Sequence, residues 1–169
     1  MTAASPEDHD GTPVVHRYRT TARWSGSTGV GYNAYGREHT LRTEPATVEL
    51  ALSSDPTFRG DKTRYNPEEL LVASLSSCHM LWYLHLCAVN NITVLEYRDS
   101  AEGVMRENQD GSGEFTGVTL KPQVRIAEAS KLAEAEGLHH KAHSLCFISR
   151  SVNFPVETSA TVMGDQAGQ

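Results

Sequence analysis

Asn66 to Val89 reads NPEELLVASLSSCHMLWYLHLCAV, and this stretch decides how the rest of the chain is read. Asn66 is a good helix N-cap. Pro67 suits the first helical position, because its missing N–H would have had no partner there. Glu68 and Glu69 sit where the helix dipole favours anions. A helix is therefore expected from Pro67 to about Val89, ended by Asn90-Asn91. Its apolar residues lie on almost all faces, so almost all faces must be covered. One small sheet covers one side, and a second subunit is the natural supplier of the rest. Leu70 to Val89 is about as long as a membrane span. It contains His79, His85 and the adjacent Ser76 and Ser77, with no basic cluster closely flanking it, so it reads as a buried helix of a soluble protein.

Working outward, Val14–Trp24, Thr28–Tyr35 and Thr47–Leu52 read as strands before the helix. Asp55–Tyr65 reads as a polar loop. After the helix, Ile92–Met105 and Phe115–Ile126 read as two strands joined by the turn Asn108–Gly113 (NQDGSG). Ala127 to about Phe147 reads as a second helix, with Leu132, Ala135, Leu138, Ala142 and Leu145 on or near one stripe, and Phe154–Met163 as a last strand. Strands, a long apolar helix, a hairpin, a helix and a strand make an α+β chain with an antiparallel sheet. Residues 1–13 are expected to be a flexible tail, 14–163 a single domain and 164–169 a C-terminal tail.

The chain has 169 residues, of which 38% are hydrophobic and 21% charged, so it is globular rather than disordered. Fifteen basic against 21 acidic residues give a formal net charge of -6, which argues against a nucleic-acid backbone binder. Three cysteines do not make a disulfide scaffold. The opening TAASPEDHD lacks the basic and apolar regions of a signal peptide, and a cytoplasmic location is expected.

Cys78 lies mid-helix and Cys87 nine residues on, which at 3.6 residues per turn puts them on opposite sides. Cys87, among Leu86, Ala88 and Val89, reads as core. Cys78 and Cys146 are 68 residues apart, and two readings stay open: a functional pair, or two core cysteines. A reactive thiol must be a thiolate. Cys78 is too deep in its helix for help from the N-terminal dipole and needs a cation. Arg59 and Arg64 are at hand in the preceding loop, with Glu68 available to orient one of them. The helix face around Cys78 holds Leu71, Ser74, Leu75, Leu81, Trp82 and His85, and suits a substrate with an organic tail.

Asn66-Pro67-Glu68-Glu69-Leu70-Leu71 followed by Cys78 resembles the central helix of the OsmC/Ohr proteins, the osmotically induced and organic hydroperoxide resistance proteins. Ala22-Arg23-Trp24-Ser25-Gly26 resembles the first-strand motif of the OsmC branch. Cys146-Phe147-Ile148-Ser149 resembles the second cysteine motif, and the order and spacing match from about His16 to Met163. The resemblance implies an intertwined homodimer, with antiparallel sheets packed around long central helices. It also implies a thiol-dependent peroxidase acting on hydroperoxides, organic ones favoured, recycled by an external dithiol and needing no cofactor, metal, nucleic acid or membrane. Cys78 matches the peroxidatic cysteine, Cys146 the resolving cysteine that forms a disulfide with the Cys78 sulfenate, and Glu68 the glutamate that orients the catalytic arginine. The loop holds one residue more than the family pattern and puts Thr57 at the arginine position, so Arg59 is the closest substitute and Arg64 the second. Phe147 stands where the family usually has proline. Leu75, Leu81 and Trp82 are the expected substrate-binding residues.

Glu68 and Cys78, ten residues apart on one helix, are about 15 Å apart along its axis. Two such helices crossing antiparallel near Ala73 would bring Glu68 of one chain level with Cys78 of the other, so a site shared across the dimer is expected. Two other classes of function are compatible with the residues. One is a metal site built from His139, His143 and Cys146, with Cys78 as a further ligand. The other is a non-enzymatic carrier of an apolar ligand. His79 adjoins Cys78 but points elsewhere on a helix, so no Cys–His hydrolase pair is evident.

Overall fold

A computed structural model describes residues 14–165, in two compact units divided between Tyr65 and Asn66. The expected tails at 1–13 and 166–169 lie outside the described residues.

The first unit is an antiparallel meander of β1 (Thr20–Arg23), β2 (His39–Thr43) and β3 (Leu50–Leu52), in that order. Thr20 pairs with Thr43, Arg23 with Thr40 and His39 with Leu52. Thr28–Tyr35 is not a strand. It holds a 3-10 turn at Thr28–Val30 and then Gly31 at φ 91, a left-handed value that glycine adopts freely. The Arg37 guanidinium organises this loop. It donates to the carbonyls of Tyr35 and Tyr32 and lies 3.7 Å from the Tyr35 ring centroid. The aromatics there cover a cation, a pairing that the alternation rule for strands does not register.

The second unit begins with α1 (Pro67–Val89). Asn66 Oδ1 accepts from Glu69 N at 2.7 Å and Glu69 Oε2 accepts from Asn66 N at 3.2 Å, a reciprocal cap for two donors the helix cannot satisfy itself. The helix ends at Asn90, and Asn91 takes φ 54. The single strand expected over Ile92–Met105 is two, β4 (Val94–Asp99) and β5 (Glu102–Glu107). Phe115–Ile126 is likewise β6 (Gly113–Leu120) and β7 (Pro122–Ile126). The second helix is shorter than expected, α2 (Leu132–Leu145), and the last strand divides into β8 (Val156–Thr158) and β9 (Thr161–Gly164). Each division sends consecutive strands to different sheets, β4-β7-β9 and β5-β6-β8. Asp99 ties the crossing points together, accepting from Ser76 Oγ at 2.6 Å and from Lys121 N at 2.7 Å. Both sheets are mixed rather than wholly antiparallel, because β8 and β9 pair in parallel with β6 and β7 after a crossover that contains α2.

Two cores result. Tyr83 and Cys87 from the C-terminal half of α1 pack with Ile92, Val124, Ile126, Ala135 and Ala142. Leu75, in the N-terminal half, packs with Val118 and Leu120. One stripe of α1 is left exposed: Ala73, Ser77, Leu81, His85, Ala88 and Val89. Leu81 is 61% exposed and Val89 59%. α1 is long and apolar enough to cross a membrane, a property it shares with the core helices of soluble proteins.

Candidate active site

Cys78 is half-buried in the middle of α1, and Cys146 is buried where α2 ends. Cys146 has left the helical conformation (φ -65, ψ 110), which turns the chain back toward α1. Cys146 Sγ accepts from Ser149 N at 3.4 Å, and Cys78 lies close enough to act on the Cys146 thiol. Burial first, and then the contact with Cys78, push the Cys146 thiol up to about 11. It is therefore a protonated thiol at neutral pH. The third cysteine, Cys87, is sealed in the first core, where burial pushes its thiol up as well.

An open cleft of about 590 Å³ leads to Cys78. Ser74, Ser77, Leu81, Trp82 and His85 line it from α1, and Phe147 and Ile148 from the segment that follows Cys146. The Trp82 ring meets Phe147 edge to face at 5.6 Å and His85 at 5.8 Å. Of the three expected substrate-binding residues, Leu81 and Trp82 line the cleft. Leu75 does not: it is fully buried in the second core, because its place on the helix faces β6 rather than the Cys78 stripe. Ser77, Phe147 and Ile148 escaped the spacing argument. The last two follow Cys146 directly, so a partner for Cys78 at that position carries them into the same cleft.

Glu68, in the first turn of α1, has a buried Oε2 with no hydrogen-bond partner among the described residues. Both candidate arginines belong to the first unit. Arg59 follows the 3-10 turn Pro56–Phe58 at φ 68, with its guanidinium 5.6 Å from the Tyr32 ring centroid. Arg64 pairs with Asp61 at 3.6 Å and lines a cleft with Trp24, Glu38 and His39.

His79 is turned away from Cys78. Its Nε2 lies 3.0 Å from His139 Nδ1, the two rings stack within 5° of parallel, and Tyr83 stacks on His139 at 3.9 Å. Burial pushes both imidazoles down to about 4, with Asp99 partly opposing this at His79 and the neighbouring His79 adding to it at His139. The set His139, His143 and Cys146 is not assembled, since Cys146 faces Cys78 and His139 faces His79. Among the described residues no three histidine, cysteine or acidic groups converge on one metal position.

The family model of the OsmC-like proteins matches residues 60–161. An OsmC-like protein of unknown function from Vibrio cholerae is 32% identical, with 87% of this chain and all of that one covered and a TM-score of 0.78. An organic hydroperoxide resistance protein from Legionella pneumophila, described as a predicted redox protein, is 21% identical, with 89% and 98% covered and a TM-score of 0.65. The organic hydroperoxide resistance protein OhrB of Bacillus subtilis is 18% identical, with 88% and 98% covered and a TM-score of 0.59. No curated protein matches the sequence.

Proposed function

Since the chain belongs to the OsmC-like family, whose fold it has and whose relatives include organic hydroperoxide resistance proteins, we propose that it is a thiol-dependent hydroperoxide reductase. The observation that carries this reading is the closeness of Cys78 and Cys146 beside an apolar cleft that Cys78 shares with Phe147 and Ile148. The Cys78 thiolate attacks the terminal oxygen of R–O–O–H. The S–O bond forms, the O–O bond breaks, and the departing alkoxide takes a proton to leave as the alcohol. The Cys78 sulfenic acid then condenses with the Cys146 thiol, forming the disulfide and releasing water. An external dithiol reduces the disulfide and returns both thiols.

An arginine, Arg59 first and Arg64 second, stabilises the thiolate and the charge that develops on the oxygens. The unpaired buried oxygen of Glu68 is the acceptor that would orient it. The protein works as a homodimer in the cytoplasm. Its partner covers the exposed stripe of α1 from Ala73 to Val89 and brings its own Glu68 level with Cys78. The apolar lining from Leu81, Trp82 and Phe147 favours organic hydroperoxides over hydrogen peroxide. The test is consumption of tert-butyl hydroperoxide with a dithiol, by wild type and Cys78→Ser in parallel. Turnover lost in the variant is expected. An inactive wild type with fully reduced thiols would refute the reading and turn attention to an apolar-ligand carrier.

A further inference from the structure

The two helices bury a seam between them. α1 gives it His79, Tyr83 and Cys87, spaced by four, and α2 gives it Ala135, His139 and Ala142, at i, i+4 and i+7. Tyr83, Cys87, Ala135 and Ala142 pack in the first core, and Tyr83 stacks on His139. Cys146, four residues beyond Ala142 and just past the helix end, takes the next place on the α2 side and is itself buried. Apolar burial is non-directional, and alanines leave little side chain to interlock. Between the two helices the described residues make one side-chain hydrogen bond, joining His79 Nε2 and His139 Nδ1 at 3.0 Å. Whichever ring supplies the N–H, the same two nitrogens are joined. The outer nitrogens, His79 Nδ1 and His139 Nε2, are buried with no partner among the described residues, so the pair costs stability where two apolar side chains would not. The best-attested use of a polar group kept in a buried helix seam at such a cost is to fix register.

We propose that His79 and His139 are positioning residues for the thiol pair: their hydrogen bond fixes how far α2 is slid along α1, and so holds Cys146 beside Cys78. This role rests on the disulfide step of the proposed reduction. Cys78 directly precedes His79, and Cys146 stands seven residues after His139, so the bond ties the helices close to both sulfurs. A disulfide needs its two Cβ atoms about 3.5–4.5 Å apart. One residue of slip moves a helix about 1.5 Å along its axis, which exceeds that whole tolerance.

The test is the equilibrium of the full chain with glutathione, in which the Cys78 and Cys146 thiols reduce one oxidised glutathione to two reduced ones and become a disulfide. Hydroperoxide takes no part, so a wild type that fails to consume tert-butyl hydroperoxide would sink the reductase reading without touching this measurement. The disulfide fraction is read by mass spectrometry after acid quenching, in wild type, His139→Asn, His139→Leu and His79→Leu/His139→Leu. Asparagine carries an amide where Nδ1 stood and can restore the bond, while leucine has nearly the same shape and cannot. The double variant leaves no polar side chain unpaired in the seam, and should keep the wild-type circular dichroism and unfold at no less urea. The effective concentration of the two thiols should fall about tenfold or more in both leucine variants, and stay within about threefold of wild type in His139→Asn. A folded double variant that matches wild type would overturn the proposal. So would a loss in His139→Asn equal to that in His139→Leu, or a wild type that forms no Cys78–Cys146 disulfide.

Discussion

Acidification should destabilise this protein in a pH window set by two residues. His79 is 1% exposed and His139 4%, and each is held down to about 4 against an ordinary value of 6.5. The unfolded chain therefore takes up a proton at each site near pH 6.5, while the folded chain refuses it until near pH 4. The unfolded state binds more protons between these values, so stability rises with pH across the window and is lost as pH falls through it. At pH 5 each site alone would cost about 2 kcal/mol relative to pH 8. Because the rings are stacked neighbours, the pair together should cost about 2 to 4 kcal/mol. The acids with depressed values, such as Asp55 and Asp61, titrate lower and act mainly below this window. The assay is urea unfolding at pH 7.5 and pH 5, beside His139→Gln, which removes one of the two sites. The variant should start less stable and lose about half as much on acidification. A wild-type change under about 0.5 kcal/mol, or the same loss in the variant, would refute the reasoning.

Other consequences follow from the geometry around Cys78. Alkylation by iodoacetamide at pH 8, read by peptide mass spectrometry, should modify Cys78 well before Cys87 and Cys146, since the last two are buried and their thiols pushed up. Phe147→Ala removes the edge-to-face partner of Trp82 and should raise KM for an aryl hydroperoxide by about two- to tenfold, with little change for hydrogen peroxide. Leu75→Ala should lower folding stability by about 2 to 5 kcal/mol in denaturant titrations and leave KM nearly unchanged, because Leu75 is core and not cleft lining. Asn66→Ala should cost about 1 kcal/mol in the same titrations through the lost cap on α1.

The central helix was legible from Pro67 to about Val89, and its start to the residue, because that start is written in side chains that act locally: a cap, a ring without an N–H, and two carboxylates at a dipole. The strands after it were legible as β-forming sequence but not as separate strands. Alternation continues through Ser100-Ala101 and Lys121, and what divides the strands there is tertiary, the carboxylate of Asp99 reaching back to Ser76 and across to Lys121 N. β2 went unread because HTLRT is polar and short, and its place is set by pairing with β1 and β3. At the site, Cys78, Leu81, Trp82 and His85 follow from helical spacing alone. The closeness of Cys78 and Cys146 depends on how α2 ends, which no spacing within one helix encodes. The metal set that joined His139 and His143 to Cys146 failed for the same reason: Cys146 leaves the helix at its last turn and faces the other way.

The most direct test is to treat the fully reduced protein with one equivalent of tert-butyl hydroperoxide and map its disulfides without reduction. A single Cys78–Cys146 disulfide, formed as one equivalent of alcohol appears, is the predicted result. Unconsumed hydroperoxide with all three thiols still reduced, or a disulfide that leaves out Cys146, would contradict it.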